Sequence, residues 1–200
     1  MGRKVLGIVG SYRKGHIIDS AVSAVLEGAE EAGAETKKIY LLDKHIEFCT
    51  NCRACTQEKD VARGKCAQDD DLEEILMEID SADAVVLGSP MNFFTVTAIM
   101  KRFVERLIGF AYWPWGTGVP KPRSKKPHKK AVIVTSSACP AFIGRILMPN
   151  ALGVLKAAAQ SMGARVVKKL YFGLIATEKD QRLNEKALSK AYQAGKSLVS

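Results

Sequence analysis

The sequence predicts an α/β fold with a doubly wound, five-stranded parallel sheet of strand order 2-1-3-4-5. Five short runs rich in β-branched and apolar residues have the length of buried strands. Each run is followed by a segment with apolar residues at helical spacing, and strands that alternate with helices form parallel sheets covered on both faces. The chain has 200 residues, 47% of them hydrophobic, and no internal repeat, which predicts a single domain spanning residues 1–200.

The first three elements form a strand–helix–strand unit. Residues 4–11, KVLGIVGS, are a β-branched run that ends at a glycine turn, which predicts a buried strand. The helix that begins at residue 17 repeats apolar residues on one face and stops at Gly33. Residues 36–42, TKKIYLL, predict the second strand.

The middle of the chain places two helices around its clearest strand. Residues 69–82 begin with three aspartates, which are favourable at the positive end of a helix dipole. Residues 83–90, DAVVLGSP, predict the central strand of the sheet. A loop and a helix over residues 97–110 follow that strand.

Two further strand–helix pairs complete the predicted fold. The strand at 131–138, AVIVTSSA, precedes a helix over 151–164, and the strand at 165–175 precedes a closing helix over 179–198. The order 2-1-3-4-5 brings the carboxyl ends of the strands to one edge of the sheet, where ligands bind in folds of this kind. We therefore expect the functional site in the loops that follow the strands.

Two segments interrupt the alternation: a cysteine-rich loop at 47–70 and an insertion at 111–130. The insertion is rich in Pro, Gly, Trp and Lys, and we expect its aromatic residues Tyr112, Trp113 and Trp115 to lie in a loop that cannot bury them. Exposed aromatics of this kind mark interfaces, which predicts contact with a neighbouring subunit. The alternative is a loop that folds back on its own subunit.

The formal net charge of +9 says little about partners, because much of the excess lies in one stretch, PKPRSKKPHKK at residues 120–130. Such a run is typical of a solvated loop, or of a surface that meets an anionic cofactor or protein. No predicted helix or strand carries a spaced basic stripe, so we expect no nucleic-acid partner. No apolar run approaches the roughly 20 residues that span a bilayer. With no signal peptide recognised, we expect a cytoplasmic protein without a membrane partner.

The loop after the first strand, GSYRKGHIIDS at residues 10–20, has the composition of a phosphate site. Backbone N–H groups at the helix N-terminus, the hydroxyls of Ser11 and Ser20, and the guanidinium of Arg13 are suitable donors. The dinucleotide fingerprint G-x-G-x-x-G is missing, and His-Ile replaces the Lys-Ser/Thr pair of a Walker A loop. The loop therefore suits a single terminal phosphate without magnesium.

Four of the five cysteines lie in the cysteine-rich loop with the spacing C-x2-C-x2-C-x10-C, namely Cys49, Cys52, Cys55 and Cys66. In a reducing compartment such a group favours metal or redox chemistry over disulfides. Three thiolates at this spacing can converge on one face of a 4Fe–4S cluster, with a fourth arriving from farther along the chain. Zinc prefers two C-x2-C pairs that are about 12–20 residues apart. A 4Fe–4S cluster, a metal-free set of thiols and a zinc ion all remain open.

These motifs together resemble the flavodoxin-like NADPH-dependent FMN reductases, and within that family the iron-sulfur flavoproteins. The resemblance rests on GSYRKG after the first strand, on C-x2-C-x2-C followed by GKC and DD, and on GSPMNFFTVTAIMKRFVER at the third strand. It covers nearly the whole chain in the same order of elements. It implies a flavodoxin-like fold, bound FMN, NAD(P)H as a transient co-substrate, and a homodimer or homotetramer.

The resemblance also implies that three loops hold the FMN, the first of them at the phosphate. Ser11 and Arg13 match the family's phosphate loop. Ile17 and Ile18 stand where that loop has an Asn-Thr pair and can offer only backbone N–H groups. Ser20 is therefore a candidate for the missing hydroxyl.

The second and third loops follow the third and fourth strands. A flavin ring needs an apolar slot, which Met91, Phe93 and Phe94 are expected to form. No side chain is assigned a catalytic role, because the flavin itself accepts the hydride. The candidate cofactor-binding residues are Ser11, Arg13, Lys14, Gly15, Ile17, Ile18, Ser20, Ser89, Pro90, Met91, Asn92, Phe93, Phe94, Thr135, Ser136 and Ser137.

Two functions are consistent with these residues and with the resemblance. The first is an FMN-dependent oxidoreductase that takes a hydride from NAD(P)H and reduces a flavin, a quinone or a similar acceptor. The second is an iron-sulfur flavoprotein that passes electrons between a ferredoxin-like donor and an acceptor through a 4Fe–4S cluster and FMN. We therefore expect a small-molecule or ferredoxin-like redox partner.

Overall fold

The computed structural model describes residues 2–200, so Met1 of the predicted domain lies outside the described residues. The strands are β1 (Lys4–Val9), β2 (Glu35–Tyr40), β3 (Ala84–Gly88), β4 (Ala111–Tyr112), β5 (Lys121–Pro122), β6 (Lys129–Ser136) and β7 (Ala164–Phe172). Five of them form a parallel sheet in the order β2-β1-β3-β6-β7, which confirms the predicted fold class and strand order. β4 and β5 pair separately as a short antiparallel hairpin.

Helices cover both faces of the sheet. They are α1 (Ile17–Glu31), α2 (Leu72–Ser81), α3 (Ala98–Arg106), α4 (Ala141–Leu147), α5 (Asn150–Ser161) and α6 (Glu185–Val199). In β1, Leu6 and Ile8 pack with α2, α3 and α5, whereas Val5 and Val9 point to the other face and pack with α1 and α6. Side chains alternate across a strand, so one short apolar run supplies both cores.

The structure corrects three details of the predicted elements. α4 was not predicted, because its seven residues, AFIGRIL, are too few to show a helical period. The insertion contains the β4–β5 hairpin rather than only irregular chain. α6 begins at Glu185 instead of residue 179, because the side chain of Asn184 accepts a hydrogen bond from Ala187 N at 2.9 Å and caps the helix there.

None of the helices that the structure describes has the length and apolar content needed to cross a bilayer. The longest, α1 and α6, contain 15 residues each.

Candidate functional site

A cavity of about 320 Å³ opens at the carboxyl ends of the parallel strands. Its walls come from the loops that follow β1, β3, β6 and β7. Sheets of this order bind ligands at this edge. The volume lies at the lower end of the range of small-molecule sites, about 300–1,000 Å³.

Nine of the sixteen candidate cofactor-binding residues line this cavity, which we call the carboxyl-end cavity. They are Ser11, Arg13, Ile17, Ile18, Pro90, Met91, Asn92, Ser136 and Ser137. The cavity also has lining residues that sequence reasoning missed: Tyr12, His16, Ala138, Ile175, Ala176, Glu178 and Gln181. Four of these follow β7. The predicted strand order could have identified this segment, because it brings the end of the fifth strand to the same edge of the sheet as the ends of the other strands.

The N-terminus of α1 adjoins the carboxyl-end cavity. α1 begins at Ile17, and its capping residue His16 makes no side-chain cap hydrogen bond. The first-turn N–H groups have no intrahelical partner, and the helix dipole makes this end favourable for an anion. Ser11 shapes the preceding loop, because its hydroxyl oxygen accepts a hydrogen bond from Arg13 N at 3.2 Å. The arrangement therefore suits a phosphate group at the end of the cavity.

Asp19 holds the turn that leads into α1. Its buried carboxylate accepts hydrogen bonds from Gly15 N at 2.5 Å, from Lys38 Nζ at 2.9 Å and from the Tyr40 hydroxyl at 3.0 Å. Burial opposes ionisation, but these hydrogen bonds and the Lys38 charge outweigh it, so the pKa of Asp19 lies below its ordinary value. Asp19 is therefore an anion that fixes the backbone of the turn, and Gly15 supplies the φ of 70° that the turn requires.

The other seven candidate residues do not line the cavity: Lys14, Gly15, Ser20, Ser89, Phe93, Phe94 and Thr135. Lys14 forms an ion pair with Asp43 instead. The hydroxyl of Ser20 donates to Gly15 O at 3.3 Å, and Ser20 borders a separate groove between α1 and α6. Ser20 does not line the carboxyl-end cavity, and its role as the hydroxyl that the Ile17-Ile18 pair lacks stays a prediction.

Ser89 is buried and links the loops by hydrogen bonds, and it does not line the cavity. Its hydroxyl oxygen accepts a hydrogen bond from Thr97 N at 3.1 Å, and the Thr97 hydroxyl donates to Gly10 O at 2.7 Å. Met91 N donates to Ser136 O at 2.8 Å. These bonds join the loops after β1, β3 and β6, so the walls of the cavity hold one another in place.

Phe93 and Phe94 form the tip of a two-residue hairpin. Asn92 and Thr95 pair on either side of them, with N–H to carbonyl distances of 2.8 and 3.1 Å. The φ angles of the two phenylalanines are 46° and 66°, which is the left-handed geometry of a type I′ turn. Phe93 is 95% exposed and Phe94 60% exposed. Met91 lines the carboxyl-end cavity and these two rings do not, so their part in a flavin ring slot stays a prediction.

The end of β6 presents buried hydroxyls to this region. Among residues 2–200, neither Thr135 Oγ1 nor Ser136 Oγ has a hydrogen-bond partner, and both residues are buried. Ser137 Oγ, in contrast, accepts a hydrogen bond from the Tyr171 hydroxyl at 2.9 Å. Buried polar groups are nearly always paired. Ser136 is the one of these two residues that lines the cavity, and its buried hydroxyl is left without a partner among the described residues.

The four cysteines of the cysteine-rich loop lie near one another. Burial raises the pKa of the Cys55 thiol, and the charges of Cys66, Cys49 and Cys52 raise it further. Arg106 approaches from the end of α3, and its guanidinium donates to Cys66 Sγ at 3.2 Å. Thiolates are the donors that an iron-sulfur cluster requires. In the described part of the chain, however, no three His, Cys, Asp or Glu side chains are grouped closely enough to hold a metal ion.

The insertion packs against the cysteine-rich loop of its own chain. The guanidinium carbon of Arg53 lies 3.8 Å from the ring centroid of Trp113 and 4.2 Å from that of Trp115. Trp113 N donates to Thr56 O at 2.9 Å, and Trp115 N donates to Gln57 Oε1 at 3.0 Å. The expectation that this loop cannot bury its aromatics is therefore confirmed for Trp115, which stays 65% exposed beside the Arg53 guanidinium, and is wrong for Trp113, which is partly buried.

Comparison with known proteins places these features in a family. A family model described as NADPH-dependent FMN reductase matches residues 3–174. An iron-sulfur flavoprotein of Archaeoglobus fulgidus is 36% identical over 111 residues, which are 56% of this chain and 48% of that protein. An iron-sulfur flavoprotein of Methanocaldococcus jannaschii is 39% identical over 103 residues, which are 52% of this chain and 51% of that protein. The chain thus spans about half the length of the curated relatives that it matches.

Solved structures share the fold at low sequence identity. An NAD(P)H:quinone oxidoreductase from Methanothermobacter marburgensis superposes with a TM-score of 0.72 at 18% identity, over 99% of this chain and 100% of that chain. An FMN-dependent NADH-azoreductase from Bacillus anthracis, solved in complex with FMN, gives a TM-score of 0.68 at 13% identity, over 100% of both chains. These similarities support the flavodoxin-like architecture of the sheet and its helices.

Proposed function

The chain belongs to the NADPH-dependent FMN reductase family, and from that premise we propose that it is an oxidoreductase that holds FMN in the carboxyl-end cavity. It uses NAD(P)H to reduce a flavin, a quinone or a similar acceptor. The observation that carries the proposal is a single cavity lined both by the uncapped N-terminus of α1 and by Ser136, whose buried hydroxyl has no hydrogen-bond partner among residues 2–200. A ligand with an anionic end and a polar ring edge suits both the helix N-terminus and the end of β6.

The residues of the cavity divide by the part of FMN that they would hold. Ser11, Arg13 and the first-turn N–H groups of α1 suit the phosphate. Pro90 and Met91 offer an apolar surface for the ring, and the hydroxyl of Ser136 suits its polar edge. Bound FMN supplies hydride acceptance, so the chain's own residues bind, orient and exclude water rather than transfer protons.

Ser136→Ala tests the proposal because it should change stability and affinity in opposite directions. Removing an unpaired buried hydroxyl should leave the flavin-free chain as stable as wild type or more stable. The same change should weaken FMN binding about tenfold or less, the value of roughly one hydrogen bond. Flavin fluorescence titration and thermal unfolding measure the two quantities.

Ser161→Ala is the matched control, since the Ser161 hydroxyl donates to Ala158 O within α5, outside the carboxyl-end cavity. Wild-type FMN affinity in Ser136→Ala would remove Ser136 from the flavin site. Failure of the wild-type chain to bind FMN at all would refute the proposed function.

A second candidate function is electron transfer through FMN and a 4Fe–4S cluster, with a ferredoxin-like donor. It is favoured by the four neighbouring thiols and by the similarity to iron-sulfur flavoproteins. Iron and sulfide should be measured in protein purified without air, for wild type, Cys52→Ala and Cys139→Ala. Iron present in wild type and Cys139→Ala but lost from Cys52→Ala would support the cluster. Iron-free wild type would leave only the first function.

We also propose that residues 1–200 act as one FMN-binding domain that assembles as a homodimer or homotetramer. Several large apolar side chains are exposed in the loops and in α4 at the carboxyl edge of the sheet, namely Phe93, Phe94, Phe142 and Ile146. Exposed apolar groups at one edge favour association. Light scattering that gave the mass of a single chain at micromolar concentration would contradict the assembly.

A further inference from the structure

We propose that a second cavity, lined by five cationic side chains, binds a pyrophosphate-type polyanion, either free or as part of a nucleotide. Its cations are Lys125, Lys126, Lys156, Arg165 and Lys169, and its volume is about 400 Å³. This basic cavity lies between the loop before β6, the second half of α5 and the edge strand β7. It shares no lining residue with the carboxyl-end cavity, and the inference goes beyond the proposed function without resting on it.

The five cations have no counterions in the described chain. No carboxylate between residues 2 and 200 lines the basic cavity, and none forms an ion pair with any of the five. Lysines elsewhere do find carboxylate partners, namely Lys14, Lys37, Lys38, Lys44, Lys101 and Lys196. Like charges gathered around one concavity repel each other, and a ligand with several negative charges relieves that repulsion.

The loop that supplies Lys125 and Lys126 is held against the start of β7. His128 N donates to Gly163 O at 3.0 Å, and the Ser124 hydroxyl donates to Lys126 O at 2.8 Å. Gly163 has a φ of 74°, and the His128 ring occupies the place that a Cβ would take, so this turn requires glycine. The lysines are therefore presented by a fixed loop rather than by a free basic tail.

Protection of a sheet edge is the ordinary explanation for lysines on β7. β7 ends the sheet, and charged side chains on an edge strand discourage pairing with another chain. This accounts for Lys168 and Lys169. It does not account for Lys156 on α5 or for Lys125 and Lys126 on the loop, which line the same cavity as Lys169. Three separate segments thus contribute charge to one concave site.

The lining favours a small phosphate-rich ligand over a nucleic acid or an acidic protein. The volume falls within the range of small-molecule sites, about 300–1,000 Å³. Ammonium groups bind phosphate oxygens as point charges, and the Gln160 amide adds a neutral donor to the same wall. No aromatic side chain of residues 2–200 lines the cavity, so nucleobases have no ring on which to stack.

Isothermal titration calorimetry at fixed ionic strength tests the site, with the FMN-loaded full chain as the sample. Under the proposed function, bound FMN fills the phosphate loop of the carboxyl-end cavity and keeps added anions out of it. Sodium pyrophosphate, ADP and inorganic phosphate are the titrants. Lys169→Gln removes a cation that lines the basic cavity, and Lys168→Gln is the matched control from the neighbouring, equally exposed strand position outside it. Lys156→Gln repeats the test on α5.

We expect saturable pyrophosphate binding that weakens about five- to tenfold in Lys169→Gln and in Lys156→Gln, and less than about twofold in Lys168→Gln. Pyrophosphate binding without ADP binding indicates a free polyanion, and comparable ADP binding indicates a nucleotide; both support the site. The proposal is overturned by the absence of saturable binding or by equal effects of the two β7 variants. It is also overturned if inorganic phosphate binds as tightly as pyrophosphate.

Failure of the proposed function is distinguishable from failure of this inference. If the chain does not bind FMN, the proposed function is refuted before any anion is titrated. The same titration in an Arg13→Ala background, with the flavin absent, then tests the basic cavity alone.

Discussion

The hairpin tip at Phe93 offers a prediction in which stability and activity change in opposite directions. Phe93 adopts a left-handed backbone with φ 46° at the first position of a type I′ turn, where asparagine is among the preferred residues. Its ring is 95% exposed, so it gains little from burial to offset that strain. Phe93→Asn should therefore stabilise the folded chain.

The expected increase in the free energy of unfolding is the sum of three contributions. A left-handed conformation costs an ordinary residue about 1–2 kcal/mol, and asparagine tolerates that conformation at lower cost. The lost burial is about 0.1 kcal/mol, since Phe93 is almost fully exposed. The edge contact with Phe94, at a centroid distance of 5.9 Å, contributes about 0.5 kcal/mol at an exposed site. The net gain is about 0.5–1 kcal/mol, or roughly 1–4 °C in Tm for a chain of this length.

Thermal unfolding by circular dichroism measures the gain, with Phe48→Asn as the control. Phe48 is also exposed and lies in a loop, but its φ is not in the left-handed region, so its replacement should give no such increase. Because a strained aromatic is kept beside the carboxyl-end cavity, we also expect Phe93→Asn to lower the NAD(P)H-dependent rate with a quinone acceptor.

Two results would refute this reasoning. A loss of about 1 kcal/mol or more in Phe93→Asn would mean that the Phe93 ring packs against something and that its strain is compensated in the folded chain. An equal rise in Tm for Phe48→Asn would mean that removing any exposed aromatic stabilises the chain, independently of the turn geometry.

Three further predictions concern the loop after β1 and the insertion. Arg13→Ala should weaken FMN binding by about 1.5–3 kcal/mol in a fluorescence titration, and wild-type affinity would remove Arg13 from the phosphate site. Asp19→Asn should destabilise the chain by about 2 kcal/mol at pH 7. Because the pKa of Asp19 is lowered in the folded chain, its carboxylate contributes to the free energy of unfolding above the ordinary carboxyl pKa of about 3.9. This contribution is lost as pH falls further. A difference in stability between variant and wild type that persisted in strong acid would contradict this. Replacing Trp113 and Trp115 with Ser should speed tryptic cleavage after Arg53, because the guanidinium loses its two covering rings; an unchanged cleavage rate would mean that the stack does not protect this bond.

Most of the fold could be predicted because its signals are local in the sequence. A β-branched apolar run such as residues 84–88 and the helical spacing that begins at Ile17 identify their elements without reference to distant residues. The alternation of these elements then determines a parallel sheet, and its strand order determines the edge at which a cavity opens. The sequence therefore predicted the loop after β1 as part of the site, and the family resemblance added the polar end of β6.

The directions of side chains could not be predicted, because they depend on contacts between residues far apart in the chain. The Phe93-Phe94 pair has the composition of a ring slot, but the backbone of a two-residue turn carries both rings outward. The predicted strand order brings the chain after β7 to the carboxyl edge, but it does not say which residues of that segment line the cavity. Tertiary packing alone decided which polar side chains of these loops line the cavity.

The sequence by itself determined the five strands of the parallel sheet and most of the helices that cover it, their order, the family motifs and the spacing of the cysteines. Only the tertiary structure decided that Arg53 stacks between two tryptophans some 60 residues away and that cations from three segments surround one cavity. The physical reason is that secondary structure follows from the periodicity of neighbouring residues, whereas a site follows from the distances between side chains that packing brings together.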